Sequence, residues 1–392
     1  MTTAEIDLPK AVRPSIAEMP EQRIGAVAMT AINDPDVIPL WFGESDMATP
    51  QFIQDAAVTA MQAGHTRYVS RRGVTPFREA IRDYTKFLWN IDLGLERISC
   101  TGSGMTSIMI AMQTLVDAGD NVVFVAPTWP NAYYAVDVLG GESRFVPLSL
   151  TETGFKLDLD QLFDACDDRT KALFVNSPSN PSGWMIEHDQ MRDIMAFARS
   201  RGIAVISDEV YHRLVYDRRV APSFLEVAEP EDALFVIHSM SKGWAMTGWR
   251  AGWIISPASL GDKMGELSVL NNTGAASFIQ HASAVALREG ENFVAEMVDR
   301  CRRGRDLVFQ RLSAMDRVRM TRPEGAFYAF PKIEGMSDDL EFAKRLVKEA
   351  RVGLAPGSAF GPLHDGYLRL CFARGEADMS VAMDRLEQAL SR

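Results

Sequence analysis

The sequence predicts an α/β fold: a large domain with a mostly parallel sheet flanked by helices, plus a smaller α+β domain. Three observations predict it. Apolar runs of strand length recur at 121–125, 172–175, 203–206 and 233–237. Stretches with helical spacing lie between them, as at positions 105, 108, 109, 112, 115 and 116 and again over 188–201. Asn180, Asp208 and Lys242 each follow one of these strands, at separations of 28 and 34 residues, about one strand–helix unit apiece. Open α/β sheets bind ligands beyond the carboxyl ends of their strands, so this regularity puts the three residues in one site.

Composition sets the outer bounds. The 392 residues are 47% hydrophobic and 24% charged, ordinary for a globular chain with a large core. The net charge of −11 gives no basic surface for nucleic acid or for an anionic membrane. No stretch approaches the roughly 18 apolar residues of a membrane span. The first seven residues carry no basic-then-apolar signal. Four cysteines without a CxxC and six histidines without ligand spacing predict reduced thiols, a cytoplasmic location and no metal.

Taken in order, residues 1–45 form a proline-punctuated arm and part of the small domain, with a helix near 21–32 and a short strand from Ile38 ending in a turn at Gly43. Residues 46–290 form the large domain. A helix near 50–63 stops at Gly64, and a loop carrying Tyr68 and Gly73 follows. Ser103, Gly104 and Met105 open a helix with its expected stop at Gly119. A Gly/Ser turn at a helix N-terminus offers N–H groups and a positive dipole end to a phosphate. The same turn approaches a dinucleotide fingerprint. The third glycine is missing, however, and no acid follows the 121–125 strand to hold a ribose.

Trp129 follows that strand, where an aromatic can stack on a flat ring. Pro181 stiffens the turn that holds Asn180. Asp208 ends an apolar strand, where a carboxylate is costly unless paired, and Tyr211 lies three residues on. Residues 291–392 form the smaller domain, with helices at 291–315 and 339–350 and a strand around Arg369. An arginine between Leu368 and Leu370 wants a carboxylate, from a ligand or from an internal salt bridge.

Lys242 leaves the 233–237 strand in the string Ser239-Met-Ser-Lys242-Gly-Trp-Ala-Met-Thr-Gly-Trp-Arg250. Burial lowers a lysine's pKa and makes it a nucleophilic amine, able to form a Schiff base. Arg250 can pair with a phosphate. This string resembles the cofactor-lysine signature of the class I/II aminotransferases, pyridoxal-phosphate (PLP) enzymes of the aspartate aminotransferase fold, fold type I. Asn180-Pro-Ser-Gly183 resembles the family's Asn-Pro-Thr-Gly motif, with Ser182 for the commoner threonine. The resemblance runs from about Pro39 to Ala373.

It implies pyridoxal 5′-phosphate as cofactor, an amino acid and a 2-oxo acid as substrates, and a homodimer with shared sites. Lys242 would carry the cofactor as a Schiff base and move the substrate's proton. Asp208 would face the ring nitrogen, Asn180 and Tyr211 the phenolic oxygen, and Trp129 the ring. Ser103, Gly104, Met105, Ser239 and Arg250 would hold the phosphate, with Tyr68 supplied by the partner. Gly43, Asn180 and Arg369 would bind substrate, Arg369 through its α-carboxylate. A PLP-dependent β-lyase or decarboxylase on the same fold is the alternative, and a PLP-sensing regulator a more distant one. No Lys or Arg lies between Lys263 and Arg288, where dicarboxylate-specific members often place an arginine. Arg71 or Arg72 could supply that contact, while Trp129, Tyr133 and Phe360 would suit larger or apolar side chains.

Overall fold

A computed structural model describes residues 9–390. The first eight residues of the arm, including the stretch read for a targeting signal, lie outside the described residues. The centre is a seven-stranded sheet. Its strands are β1 (Ile98–Thr101), β2 (Asn121–Ala126), β3 (Glu142–Pro147), β4 (Thr170–Asn176), β5 (Ala204–Asp208), β6 (Leu234–Ser239) and β7 (Gly252–Ile255), in spatial order β1-β7-β6-β5-β4-β2-β3. The pairs β3–β2, β2–β4, β4–β5 and β5–β6 are parallel, and β7 runs antiparallel to both its neighbours.

Alternate strand residues enter opposite cores. Val123, Val125, Leu173, Val175, Val205 and Val236 pack into one, and Val122, Phe124, Phe174, Ile206, Phe235 and Ile237 into the other. Both faces are covered, so these strands read as continuous apolar runs rather than alternating ones. In register, Asn176 sits opposite Asp208, and Asp208 opposite Ile237. The segments carrying Asn180, Asp208 and Lys242 therefore leave three adjacent strands at the same edge.

Helices at Gln51–Gln62, His188–Arg201, Glu291–Leu312 and Asp339–Ala350 fall where the spacing puts them. The helix opened by Gly104 ends sooner than expected, at Leu115. Val116 is already extended, and Gly119, at φ 90°, serves the turn into β2. The sequence reading did not foresee β7 or the helices at Thr75–Trp89 and Ser277–Glu289. β7 runs directly on from the Lys242 loop, and a four-residue apolar run there is ambiguous by pattern alone.

A separate core gathers Val27, Leu40 and Trp41 from the arm with Met297, Val308, Tyr328, Phe372 and Leu386. A small antiparallel sheet, Tyr328–Ala329, Leu368–Cys371 and Ala355–Pro356, lies within it. Among the described residues no helix is long and apolar enough to cross a membrane, and no cluster of three or more His, Cys, Asp or Glu side chains is placed to hold a metal.

Candidate active site

A cavity of about 250 Å³ opens at the carboxyl edge of the sheet. Gly43, Gly104, Met105, Trp129, Asn180, Asp208, Tyr211, Ser239, Lys242, Arg250 and Arg369 all line it. The chain thus brings together eleven expected residues from segments spread between Gly43 and Arg369. Two stay apart from it. The Ser103 hydroxyl caps the Gly104–Leu115 helix, accepting the Thr106 N–H at 3.0 Å, and does not line the cavity. Tyr68 is 91% exposed and lines another cleft, with residues 272–278.

Lys242 stands three residues past β6, with its Nζ donating to the Gly43 carbonyl at 2.6 Å. The surrounding protein strips water from the ammonium, which lowers its pKa to about 8. A useful fraction of the amine is therefore neutral and nucleophilic near neutral pH. Asp208 is buried, and the Val210 N–H donates to it at 3.3 Å. Desolvation raises its carboxyl to about 7, against a weaker opposing pull from Lys242. A carboxylate left this poorly compensated is suited to a cationic ligand group.

Arg369 is 2% exposed. Its guanidinium donates to the Asn180 Oδ1 at 3.2 Å and to the Trp41 carbonyl, both uncharged, while its Nε has no hydrogen-bond partner among the described residues. Among the described residues no acid pairs with Arg369, so the internal salt bridge weighed against ligand binding does not form there. A buried unpaired charge costs several kcal/mol, so this side chain is ready for a carboxylate. Asn180 is oriented by the same contact. Its oxygen faces Arg369 and its backbone N–H donates to Asn176 Oδ1 at 2.7 Å, which leaves the amide NH₂ free to donate into the cavity.

Gly104 and Met105 line the cavity at the positive end of their helix, and Arg250 lines it too. Ser239 Oγ bonds Ser241 Oγ at 2.9 Å and receives the Ser241 N–H at 3.1 Å, shaping the loop that presents Lys242. Gly252 permits the approach: a Cβ there would lie 2.7 Å from the Ser103 carbonyl carbon and 2.8 Å from the Gly104 nitrogen.

Sequence reasoning missed Tyr328, Ser241, Asn176, Ile108, Val210 and Thr247, which also line the cavity. Ser241 and Thr247 lay within the lysine string and Asn176 at a strand's end. Nothing local marked Tyr328. Arg71 and Arg72 do not line the cavity of their own chain. Arg71 pairs with Asp262 at 3.0 Å, and Arg72 donates to the carbonyls of Leu95, Glu96 and Ile98. Phe360 packs against Arg369, and the Tyr133 hydroxyl donates to the Ala359 carbonyl at 3.2 Å; neither lines the cavity. Glu209 faces away from it, accepting from Ser207 Oγ and the Phe224 N–H.

The cavity thus gathers a helix N-terminus, two arginines, a buried carboxyl and an amine whose pKa burial lowers. The profile of the family described as Aminotransferase class I and II matches residues 35–386. The chain belongs to that family. It is an aminotransferase, an enzyme that moves an amino group between an L-amino acid and a 2-oxo acid, and class I/II aminotransferases depend on PLP. It is 33% identical to an aspartate aminotransferase of Pyrococcus horikoshii over 359 residues, 91% of each chain. It is 34% identical to aromatic-amino-acid aminotransferase 2 of Thermococcus litoralis, over 90% of this chain and 92% of that one. The crystal structure of the aspartate aminotransferase of Thermotoga maritima superposes with a TM-score of 0.90 at 31% identity, covering 97% of this chain and all of the other. The fold-type-I architecture expected from the lysine string is therefore borne out.

In this aminotransferase Arg369→Ala should raise KM for every amino donor by roughly 100-fold, the loss of a charge-assisted pair. Steady-state kinetics across acidic, aromatic and aliphatic donors checks this. A defect confined to acidic donors would mean that Arg369 reads the side chain.

Proposed function

We propose that this chain binds pyridoxal 5′-phosphate through Lys242, and that its transamination follows from the polar groups around that amine. One observation carries the reading. Asp208 and Arg369 are both buried, lack a full charge partner, and line the same cavity as an activated lysine. The residues fit the cofactor. Gly104, Met105, Ser239 and Arg250 are placed for its phosphate, with the Ser103 hydroxyl holding their helix cap. Asp208 suits its protonated ring nitrogen, Trp129 its ring face, and the free amide of Asn180 and the hydroxyl of Tyr211 its phenolic oxygen.

When bound, the cofactor supplies an electron sink for bonds at the donor's α-carbon. The protein supplies the rest. Arg369 and the Gly43 backbone fix the α-carboxylate, and Lys242 Nζ takes the α-proton and returns it. Asp208 holds a negative charge at the end of β5, and the apolar walls, Ile108 among them, limit water. Given one amino acid and no oxo acid, the enzyme should release one equivalent of 2-oxo acid per site and stop. Continued turnover with release of ammonia would favour the β-lyase alternative.

The cations lining the cavity, Lys242, Arg250 and Arg369, all have tasks in this scheme. A carboxylate on the donor's side chain would need a cation from the second protomer. Relatives carry both aspartate and aromatic names, and a donor panel against 2-oxoglutarate and pyruvate separates these classes for this chain.

The unit of activity is proposed to be a homodimer. Tyr68 is 91% exposed, and Leu270, leading into the stretch that shares its cleft, is 80% exposed; large apolar groups left bare like this suit an interface. Co-refolding Tyr68→Ala with Lys242→Ala tests it. A hybrid dimer holds one site with both residues intact if Tyr68 acts across the interface, and activity should exceed the sum of the two variants. No recovery, with hybrids confirmed by mass, would reject the shared site.

The partition into 1–45, 46–290 and 291–392 is likewise proposed, supported by the separate core that joins the arm to the C-terminal third. A cytoplasmic location is proposed on the four free thiols, at Cys100, Cys166, Cys301 and Cys371.

A further inference from the structure

Tyr328 comes from the small antiparallel sheet, yet it lines the cavity and is fully buried. Three contacts converge on it. Its hydroxyl lies 2.7 Å from the Tyr211 hydroxyl. Its ring lies against the Arg369 guanidinium, 4.7 Å from the centroid. Its hydroxyl also occupies the space beside Gly43, where a Cβ would sit 1.9 Å away. Gly43 has no left-handed φ, so its backbone would accept alanine. The room for Tyr328 is the local reason for a glycine there.

We infer that Tyr328 is a positioning residue that holds two working groups at once, aiming the Tyr211 hydroxyl with its own hydroxyl and bracing Arg369 with its ring. Tyr211 and Tyr328 both stay neutral phenols, because burial raises their pKa values. Each can therefore donate one hydrogen bond. If Tyr211 donates toward the cavity, its oxygen accepts from Tyr328, and a hydroxyl that accepts is polarised into a stronger donor. The Tyr328 ring helps exclude water from a guanidinium whose Nε already lacks a partner. Cation–π attraction strengthens with such desolvation. Tyr328 is carried by a strand paired to the one that carries Arg369: Tyr328 lies opposite Cys371, two residues along from Arg369. The two side chains thus move as a unit, and the Tyr211 contact ties that unit to the segment following Asp208.

The proposal rests on the PLP reading of the cavity, and two variants of the holoenzyme separate the functions. Tyr328→Phe removes the hydroxyl and keeps the ring. It should lower kcat by roughly ten-fold, the value of one buried hydrogen bond. It should also shift the pH titration of the bound cofactor's visible absorption. The Kd for a carboxylic acid without an amino group, such as 3-phenylpropionate, should stay unchanged by calorimetry. Tyr328→Leu removes the ring and should also weaken that carboxylate by about ten-fold. Gly43→Ala, which drives a methyl into the hydroxyl's place, should reproduce the Tyr328→Phe titration shift and add little to it in the double variant. A Tyr328→Phe enzyme with a lowered melting temperature but unchanged kcat and titration would overturn the positioning role. Should the Leu variant fail to fold, the Phe variant and Gly43→Ala still decide. Wild-type enzyme that binds neither PLP nor the carboxylate would instead remove the reading of the cavity, and this proposal with it.

Discussion

Lys242→Ala should leave a folded protein that has lost amino transfer by about four orders of magnitude or more, because nucleophile and proton carrier disappear together. The fold should survive. The side chain's hydrogen bond to Gly43 is worth about 1 kcal/mol, and truncation also removes an ammonium that the folded protein desolvates. The proposed phosphate and ring contacts do not involve Lys242, so the variant should still bind PLP, without the visible absorption of a lysine-bound cofactor. Absorption spectra and single-turnover kinetics check both halves. Survival of the absorption would assign the attachment to another lysine.

The second large effect is expected from Asp208→Ala. The carboxylate's proposed partner is the cofactor, so its removal should cost about 3–4 kcal/mol of transition-state stabilisation, as for a preorganised electrostatic group. That is a fall of two to three orders of magnitude in kcat; near-normal turnover would remove the pyridinium role. Stability should respond in the opposite sense. In cofactor-free protein the folded-state pKa of Asp208 is raised from 3.8 to about 7. The folded state therefore binds more protons than the unfolded chain across that window, and stability falls as pH rises through it. Lys242, lowered from 10.5 to about 8, adds a loss as pH falls through the upper window. Glu209, buried and raised from 4.5 to about 7, contributes a slope of its own in the same window, so cofactor-free Asp208→Ala should show a shallower slope than wild type and melt higher than it at pH 8. Bound PLP should remove the Asp208 share of that slope in wild type by pairing the carboxylate, and leave the share of Glu209. Melting temperatures from pH 4 to 8, with and without cofactor, check the sign. A wild-type slope that PLP leaves untouched would place the ring nitrogen elsewhere.

Much of this was legible before any coordinates. The apolar runs ending near Asn180, Asp208 and Lys242 specified parallel strands buried on both faces, because continuous apolar sequence of strand length suits a sheet covered on both sides. Their regular spacing specified one shared edge, since each strand–helix unit returns the chain to the same end of the sheet. The lysine string pointed to the family, since it sets the expected nucleophile and the expected phosphate partner within twelve residues. Arg369 was visible as a charge on an apolar strand.

Other features were decided only in three dimensions. Whether Arg369 faced an internal acid or a ligand depended on Asn180 and Trp41, which are 189 and 328 residues away. Arg71 and Arg72 looked available because they flank the Tyr68 loop, and long-range partners at Asp262 and at Leu95–Ile98 took them. That the Ser103 hydroxyl also caps the Gly104–Leu115 helix, accepting the Thr106 N–H, shows only once that helix is in place. Tyr328 gave no local sign at all. Its position depends on the strand Tyr328–Ala329 meeting the arm and the segment after β5, where a hydroxyl, a glycine and a guanidinium from distant segments share one space. Local pattern reports propensity and which face is buried; which buried polar groups meet is set by packing between elements far apart in the chain.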